Sequence, residues 1–221
     1  MLFDLRSRGR RRTVQVIYLG LAIVMMLGLV LVGVGTGGSG GLLNAFTNSG
    51  SGSANNSAAV NAALRETKAH PGSADAWSNL VTARWEDAQQ GANFDSTTST
   101  YTKSGKAQLN ALVSDYERYS SLTNSPSIEA TRIAAQSYVV LTQWSGAANA
   151  WETVAAAQPS VNAFSCLALT SFAASQTRKG SLAVTQALAL TPKLERLELK
   201  DQFKSAESSK TTAAQYAASS C

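Results

Sequence analysis

Histidine and cysteine are scarce in this 221-residue chain, which has a single histidine, His70, and two cysteines, Cys166 and Cys221. Zinc sites draw several such ligands together at short spacing; two distant cysteines and one histidine do not supply one, so no metal is expected. No GxxxxGK stretch occurs, and the glycine run at 35–41, although Gly35, Gly37 and Gly40 fit GxGxxG, precedes no strand–helix unit, so no phosphate cradle or cofactor is expected. No serine, histidine and aspartate set assembles around a local motif, and His70 reads as a residue at a helix C-terminus. The acidic pairs Glu86 with Asp87 and Glu195 with Glu198 read as solvated helix faces. With no catalytic residue to name, the expectation is a protein that is not an enzyme.

Charge is also sparse and unevenly placed. The net charge is +5, a value that would suit a nucleic-acid binder if it formed a stripe. Arg6, Arg8, Arg10, Arg11 and Arg12 against Asp4 account for nearly all of it, and 14 basic residues face 13 acidic ones in the rest of the chain. No nucleic-acid partner is therefore expected. Residues 14–35, VQVIYLGLAIVMMLGLVLVGVG, carry no charge. At about 1.5 Å per residue this run reaches roughly 33 Å as a helix, enough to span a bilayer. Arginines precede it and no charge follows it closely, so the positive-inside rule leaves 1–13 as a cytoplasmic tail and puts the chain beyond residue 36 outside. A cleaved signal peptide is the rival reading, favoured by the basic start and the Arg11–Arg12 pair. The apolar run is too long for it, and no A-x-A site or lipidation cysteine follows. In the oxidising compartment this orientation implies, a Cys166–Cys221 disulfide is permitted but not required; the plainer reading is a buried Cys166 and a free or loosely paired Cys221 at a frayed end.

Residues 36–57 are mostly Gly, Ser, Asn and Thr and read as a flexible linker. From Ala58 the composition turns to alanine, leucine, glutamine and scattered charge, a helix-forming mixture. The chain has four prolines, and Pro126, Pro159 and Pro192 stand 33 residues apart. Proline ends helices, so even spacing of prolines marks even spacing of helix boundaries and an internal repeat. The unit 161–192 offers Phe164, Leu167 and Ala168, then Gly180, Val184, Ala187 and Pro192. The unit 128–159 offers Ala135 and Tyr138, then Ala147, Trp151, Val154 and Pro159, with Thr131 and Ala134 where the later unit has Phe164 and Leu167. An earlier unit opens with Trp77, Leu80 and Val81. Small residues such as Ala168 and Gly180, or Ala135 and Ala147, belong where two helices cross closely.

These spacings resemble the tetratricopeptide repeat. The resemblance implies an all-α fold: a transmembrane helix, a flexible linker, then an α-solenoid of about three helical hairpins with capping helices over 58–207, and a tail at 208–221. The first hairpin, Ser73–Gln90 with Lys106–Leu122, is stretched by the polar run 91–105. The helix 58–70 caps one end, and a stretch with Leu194, Leu197, Phe203 and Ala206 caps the other with a polar outer face. The resemblance also implies a concave face lined by first helices that binds protein or peptide partners. Its candidate positions are Asp75, Ser78 and Trp85; Glu129, Arg132, Gln136 and Val139; and Asn162, Ser165, Leu169 and Phe172, with Trp85, Val139, Leu169 and Phe172 as exposed apolar anchors. The arrangement is similar to that of single-pass bacterial envelope proteins, among them ancillary partners of the Sec translocon and periplasmic folding factors. The expected function is a membrane-tethered, extracytoplasmic, chaperone-like scaffold assisting translocated or envelope proteins. A fixed structural subunit of an envelope complex is the alternative.

Overall fold

The computed structural model divides the chain into a segment Met1–Ser51 and a helical unit Gly52–Cys221, and it describes the second. The apolar run 14–35, its arginine flank and most of the expected linker lie outside the described residues. Among the described residues, no helix is long and apolar enough to cross a membrane.

Nine α-helices make up most of Gly52–Cys221: α1 Gly52–Ala69, α2 Ala74–Ala88, α3 Lys103–Leu122, α4 Ile128–Val140, α5 Trp144–Ala157, α6 Val161–Ala173, α7 Thr177–Leu190, α8 Arg196–Ser208 and α9 Lys210–Ser220. The described chain is all-α apart from a small insert between α2 and α3. There a 3₁₀ turn, Gly91–Asn93, leads into β1 (Phe94–Asp95) and β2 (Thr100–Tyr101), a two-residue antiparallel ladder. Each helix packs on the next along the chain, the order of an α-solenoid.

Local chemistry explains the boundaries. Ser73, Thr102, Ser127, Ser160 and Ser209 each sit just before a helix, and each side-chain oxygen accepts from the backbone N–H three residues on. Helices α5 and α7 start without such a cap because they leave tight turns from α4 and α6. In those turns Thr142 and Ser175 take φ of 57° and 63°, and the Gln143 and Gln176 amides donate 2.8 Å bonds to the Tyr138 and Ser171 carbonyls. This is a Schellman stop, written twice with a 33-residue offset. Every helix bound of the α4–α5 hairpin recurs at the same offset in α6–α7.

Within both hairpins a glycine receives an aromatic ring. A Cβ on Gly146 would fall 2.5 Å from the Tyr138 ring, and one on Gly180 would fall 2.5 Å from the Phe172 ring. Ala147, Ala135 and Ala168 are fully buried, as small residues at a crossing should be. Between hairpins, α3 offers tyrosines to α4. Tyr116 donates to Thr131 Oγ1 at 3.2 Å, Tyr119 accepts from the Ser127 amide at 2.7 Å, and Tyr138 of α4 donates to Glu117 Oε1 at 3.1 Å. Trp151, Val154, Leu167, Leu169 and Phe203 complete a core running from α2 to α9. A smaller cluster, Val60, Leu80 and Ala83, joins α1 to α2.

Five expectations change. Helix α1 starts at Gly52, inside the stretch read as linker. The run 91–105 holds a strand ladder, and α3 starts at Lys103. Asp87 is 4% exposed rather than solvated; it accepts from Ser57 Oγ at 3.1 Å and from Asn93 Nδ2 at 3.0 Å, so its carboxylate ties α1 and the insert to α2. The end cap is not polar outside: Phe203 and Ala206 are buried, but Leu194 is 98% and Leu197 71% exposed. Arg196 turns back to donate to the Thr191 and Ala189 carbonyls at the end of α7, and the two leucines on either side of it are left outside. Finally, the supposed tail is helix α9.

Candidate functional site: the first-helix face

The first helix of each hairpin is α2, α4 and α6. Helix α2 touches α4, and α9 touches α6, α8 and α4. Among the candidate positions on these helices, exposure falls with distance from the N-terminus. Asp75, Glu129 and Asn162, near the helix starts, are the more open, and Ser78, Arg132 and Ser165, one turn on, are half-buried. Gln136 and Trp85 are half-buried as well. Trp85 lies beside Tyr101 of the insert, ring centroids 6.5 Å apart, and Arg132 donates to Gln158 Oε1 at 2.9 Å at the end of α5.

The other apolar candidates behave differently. Val139, Leu169 and Phe172 are buried at 5%, 1% and 5% exposure, so they are not open anchors. Phe172 lies against Gly180 of its own hairpin. Leu169 belongs to a run from Cys166 to Ala173 in which every residue is buried. A helix buried on all sides has neighbours on all sides. Those of α6 are α5, α7, α8 and, on the first-helix side, α9.

Helix α9 is the part of the site that sequence reasoning missed. Its Ala213 and Ala217, both fully buried, give a small-residue ladder one turn apart. Ser209 both ends α8 and caps α9. At the other end Cys221 pairs with Cys166, Cα atoms 5.6 Å apart, across 55 residues of sequence. The plainer expectation of a free or loosely paired Cys221 is therefore corrected: a docked α9 carries the terminal sulfur to the one cysteine of α6.

Hydroxyls buried on the first helices mostly bond to their own backbone. Thr131, Ser137 and Thr170 donate to the carbonyls of Ser127, Ile133 and Cys166 at 2.8, 2.8 and 2.6 Å. Ser171 Oγ and Trp151 Nε1 have no protein partner. Charge near the strip is balanced: Arg84 of α2 pairs with Asp115 of α3 and donates to Gln108 Oε1 at 2.9 Å. Burial raises the Asp115 carboxyl above its ordinary range, and the Arg84 guanidinium opposes that rise. Among the described residues, no group of three or more His, Cys, Asp or Glu side chains could hold a metal ion.

What remains open on the first-helix side is a polar strip of Asp75, Ser78, Glu129, Arg132, Asn162 and Ser165. Carboxylate, guanidinium, amide and hydroxyl groups at helical spacing can hydrogen-bond an extended or helical chain laid across them. No family model, curated protein or solved structure matches this chain.

Proposed function

We propose that the chain is a membrane-tethered scaffold, in which a helical-hairpin repeat of the tetratricopeptide type stands on the extracytoplasmic side and receives protein or peptide partners along its first-helix strip. The observation that carries this reading is the Cys166–Cys221 disulfide. Such bonds persist in oxidising compartments, where an arginine-flanked apolar run at 14–35 would deliver the chain that follows it. Support for the repeat comes from the 33-residue recurrence of helix bounds and Schellman turns in α4–α5 and α6–α7. Placed there, the strip would meet translocated or envelope proteins. Its accessible chemistry is polar, so selection of a partner rests on hydrogen bonds and charge more than on apolar anchors.

A fixed structural subunit of an envelope complex is the second reading, and one observation favours it. The large hydrophobic residues exposed in the described chain, Leu182, Leu190, Leu194 and Leu197, lie on α7, in the turn that follows it and at the start of α8. Exposed apolar groups gathered in one region are what a permanent neighbour would cover.

A photoreactive residue at Ser165, and separately at Leu194, separates the readings in intact cells. Many unrelated secreted chains captured from Ser165 support the scaffold. One constant product from Leu194, with nothing from Ser165, supports the fixed subunit, and capture from neither site overturns both. Orientation has its own measurement. Ser51→Cys should react in intact cells with a thiol reagent that cannot cross membranes; reaction only after lysis overturns the extracytoplasmic placement.

A further inference from the structure

We infer that the outer side of α6 is a helix-binding surface whose resident occupant is the chain's own α9, latched by Cys166–Cys221 and released when a dithiol reduces that bond. Three observations lead there. First, α9 lies on the first-helix side, touching α6 and α4, while α8 occupies the capping place against α7 and α6. Second, α9 grips mostly through small side chains: among its 11 residues Ala213 and Ala217 are fully buried, and Ala214 and the half-buried Tyr216 pack against the core beside them. Lys210, Thr211, Gln215, Ala218, Ser219 and Ser220 are exposed, and a helix this short is marginal by itself in water. Third, both of its ends are pinned by single connections: Ser209, the one residue between α8 and α9, and the disulfide.

The chemistry of release balances. Cys221 is half-buried and Cys166 fully buried, so a thiolate of the incoming dithiol attacks the Cys221 sulfur and Cys166 leaves as a thiolate. The second thiol of the reagent then displaces Cys221 and closes the reagent's own disulfide. Two electrons and two protons have passed from the reagent to the two cysteines. With the latch open, α9 swings about Ser209 and uncovers the side of α6 that bears Cys166. The occupant that fits this surface has the chemistry of α9: a helix with alanine-sized residues one turn apart. The idea that a foreign helix uses the surface rests on the scaffold reading; the release of α9 does not.

Hydrogen exchange on the detergent-solubilised full chain, with and without a dithiol, tests the release. Amides of 210–221 should exchange on the order of tenfold faster or more after reduction, while those of α4, α5 and α7 keep their protection. Cys166 should become reactive to a maleimide, and Cys221→Ser should reproduce both effects without reductant. Unchanged protection of α9 and an unreactive Cys166 after reduction would overturn the inference, because α9 would then be held by packing alone. Loss of protection throughout α4–α7 would overturn it too, since the disulfide would then be holding the whole fold. If α9 is released but photoreactive Ser165 captures no partner in cells, the latch stands and the scaffold reading falls.

Discussion

Adding one methyl group to Gly146 or Gly180 tests the hairpin geometry directly, because two opposing effects of similar size meet at these positions. Alanine is favoured over glycine in a helix interior by about 0.8–1 kcal/mol. Both glycines sit in the first turn of their helices, so the gain available is at the low end of that range. Against it stands the ring. The new Cβ of Gly180→Ala would lie 2.5, 2.6 and 3.0 Å from three carbons of Phe172, and that of Gly146→Ala at the same distances from three carbons of Tyr138. Carbon atoms in contact settle at about 3.5–4.0 Å. Each ring must therefore withdraw by about 1 Å, and both are buried, with little room behind them. Overpacking of this kind costs about 1–3 kcal/mol, so after the helix gain of about 0.8 kcal/mol the net expectation for either variant is a loss of up to about 2 kcal/mol. Gly146→Ala should be the worse of the two, because the Tyr138 hydroxyl is also tied to Glu117.

Urea unfolding followed by far-ultraviolet circular dichroism provides the assay. A loss of about 2 kcal/mol lowers the midpoint by roughly 0.7–2 M for a slope of about 1–3 kcal/mol/M. Gly72→Ala is the control, since a Cβ there meets nothing within 4 Å; it should be neutral or slightly stabilising. The double variant Gly180→Ala with Phe172→Leu should recover part of the Gly180→Ala loss, a coupling of about 0.5 kcal/mol or more between residues in contact. If Gly180→Ala stabilises the protein, or costs as much in the Phe172→Leu background as in the parent, the ring-on-glycine crossing is not what sets the helix separation.

Two other perturbations address the turns and the interface between hairpins. Thr142→Gly and Ser175→Gly remove side chains from residues held at positive φ and should each stabilise by about 0.5–1 kcal/mol, with the larger gain at branched Thr142; scanning calorimetry reads this, and lower melting temperatures would contradict the Schellman assignment. Tyr138 has its hydroxyl pKa raised by burial first and by the Glu117 carboxylate second, so its proton stays on in the folded chain where the unfolded chain loses it. The stability this provides is complete below about pH 10 and is lost as pH rises through the folded value. Tyr138→Phe should flatten the fall of urea midpoints above about pH 10 without abolishing it, because burial also raises Tyr116; an unchanged slope would remove Tyr138 as its source.

Much of the helical order was legible because it is set by local chemistry. Pro126, Pro159 and Pro192, with the small residues Ala147 and Gly180, mark hairpins whose ends and crossings need those residue types whatever surrounds them. Burial of the first helices was not legible in the same way. Phe172 faces Gly180 inside its own hairpin and was never a groove position, while Leu169 stands where a solenoid leaves a residue open only if nothing covers it, and what covers α6 is the helix with the weakest amphipathic pattern among the described residues. Helix α9 has two buried alanines and a terminal cysteine to guide it, and no amphipathic stripe of large side chains. Asp87 escaped for a related reason, since an acidic residue reads as solvated until Ser57 and Asn93 are brought to it from other elements.

Two surfaces of the unit carry opposite chemistry, and under the proposed scaffold reading this would set how a partner is selected. The helix starts present carboxylates and small polar groups at Asp75, Ser78, Glu129 and Asn162, while the corner of α7 and α8 presents Leu190, Leu194 and Leu197. A ligand held along the polar strip exchanges water hydrogen bonds for protein ones, and each such bond nets only about 0.5–1.5 kcal/mol. Covering an exposed leucine contributes about 1.5–3 kcal/mol when burial is complete. Contacts at the leucine corner are therefore the stronger per residue and the less discriminating, and contacts on the strip are weaker and more specific. A partner engaging both would be held at the corner and identified along the strip. On these magnitudes Leu194→Ser together with Leu197→Ser should weaken capture of every partner that reaches the corner, whereas Arg132→Ala should change which partners are captured from Ser165.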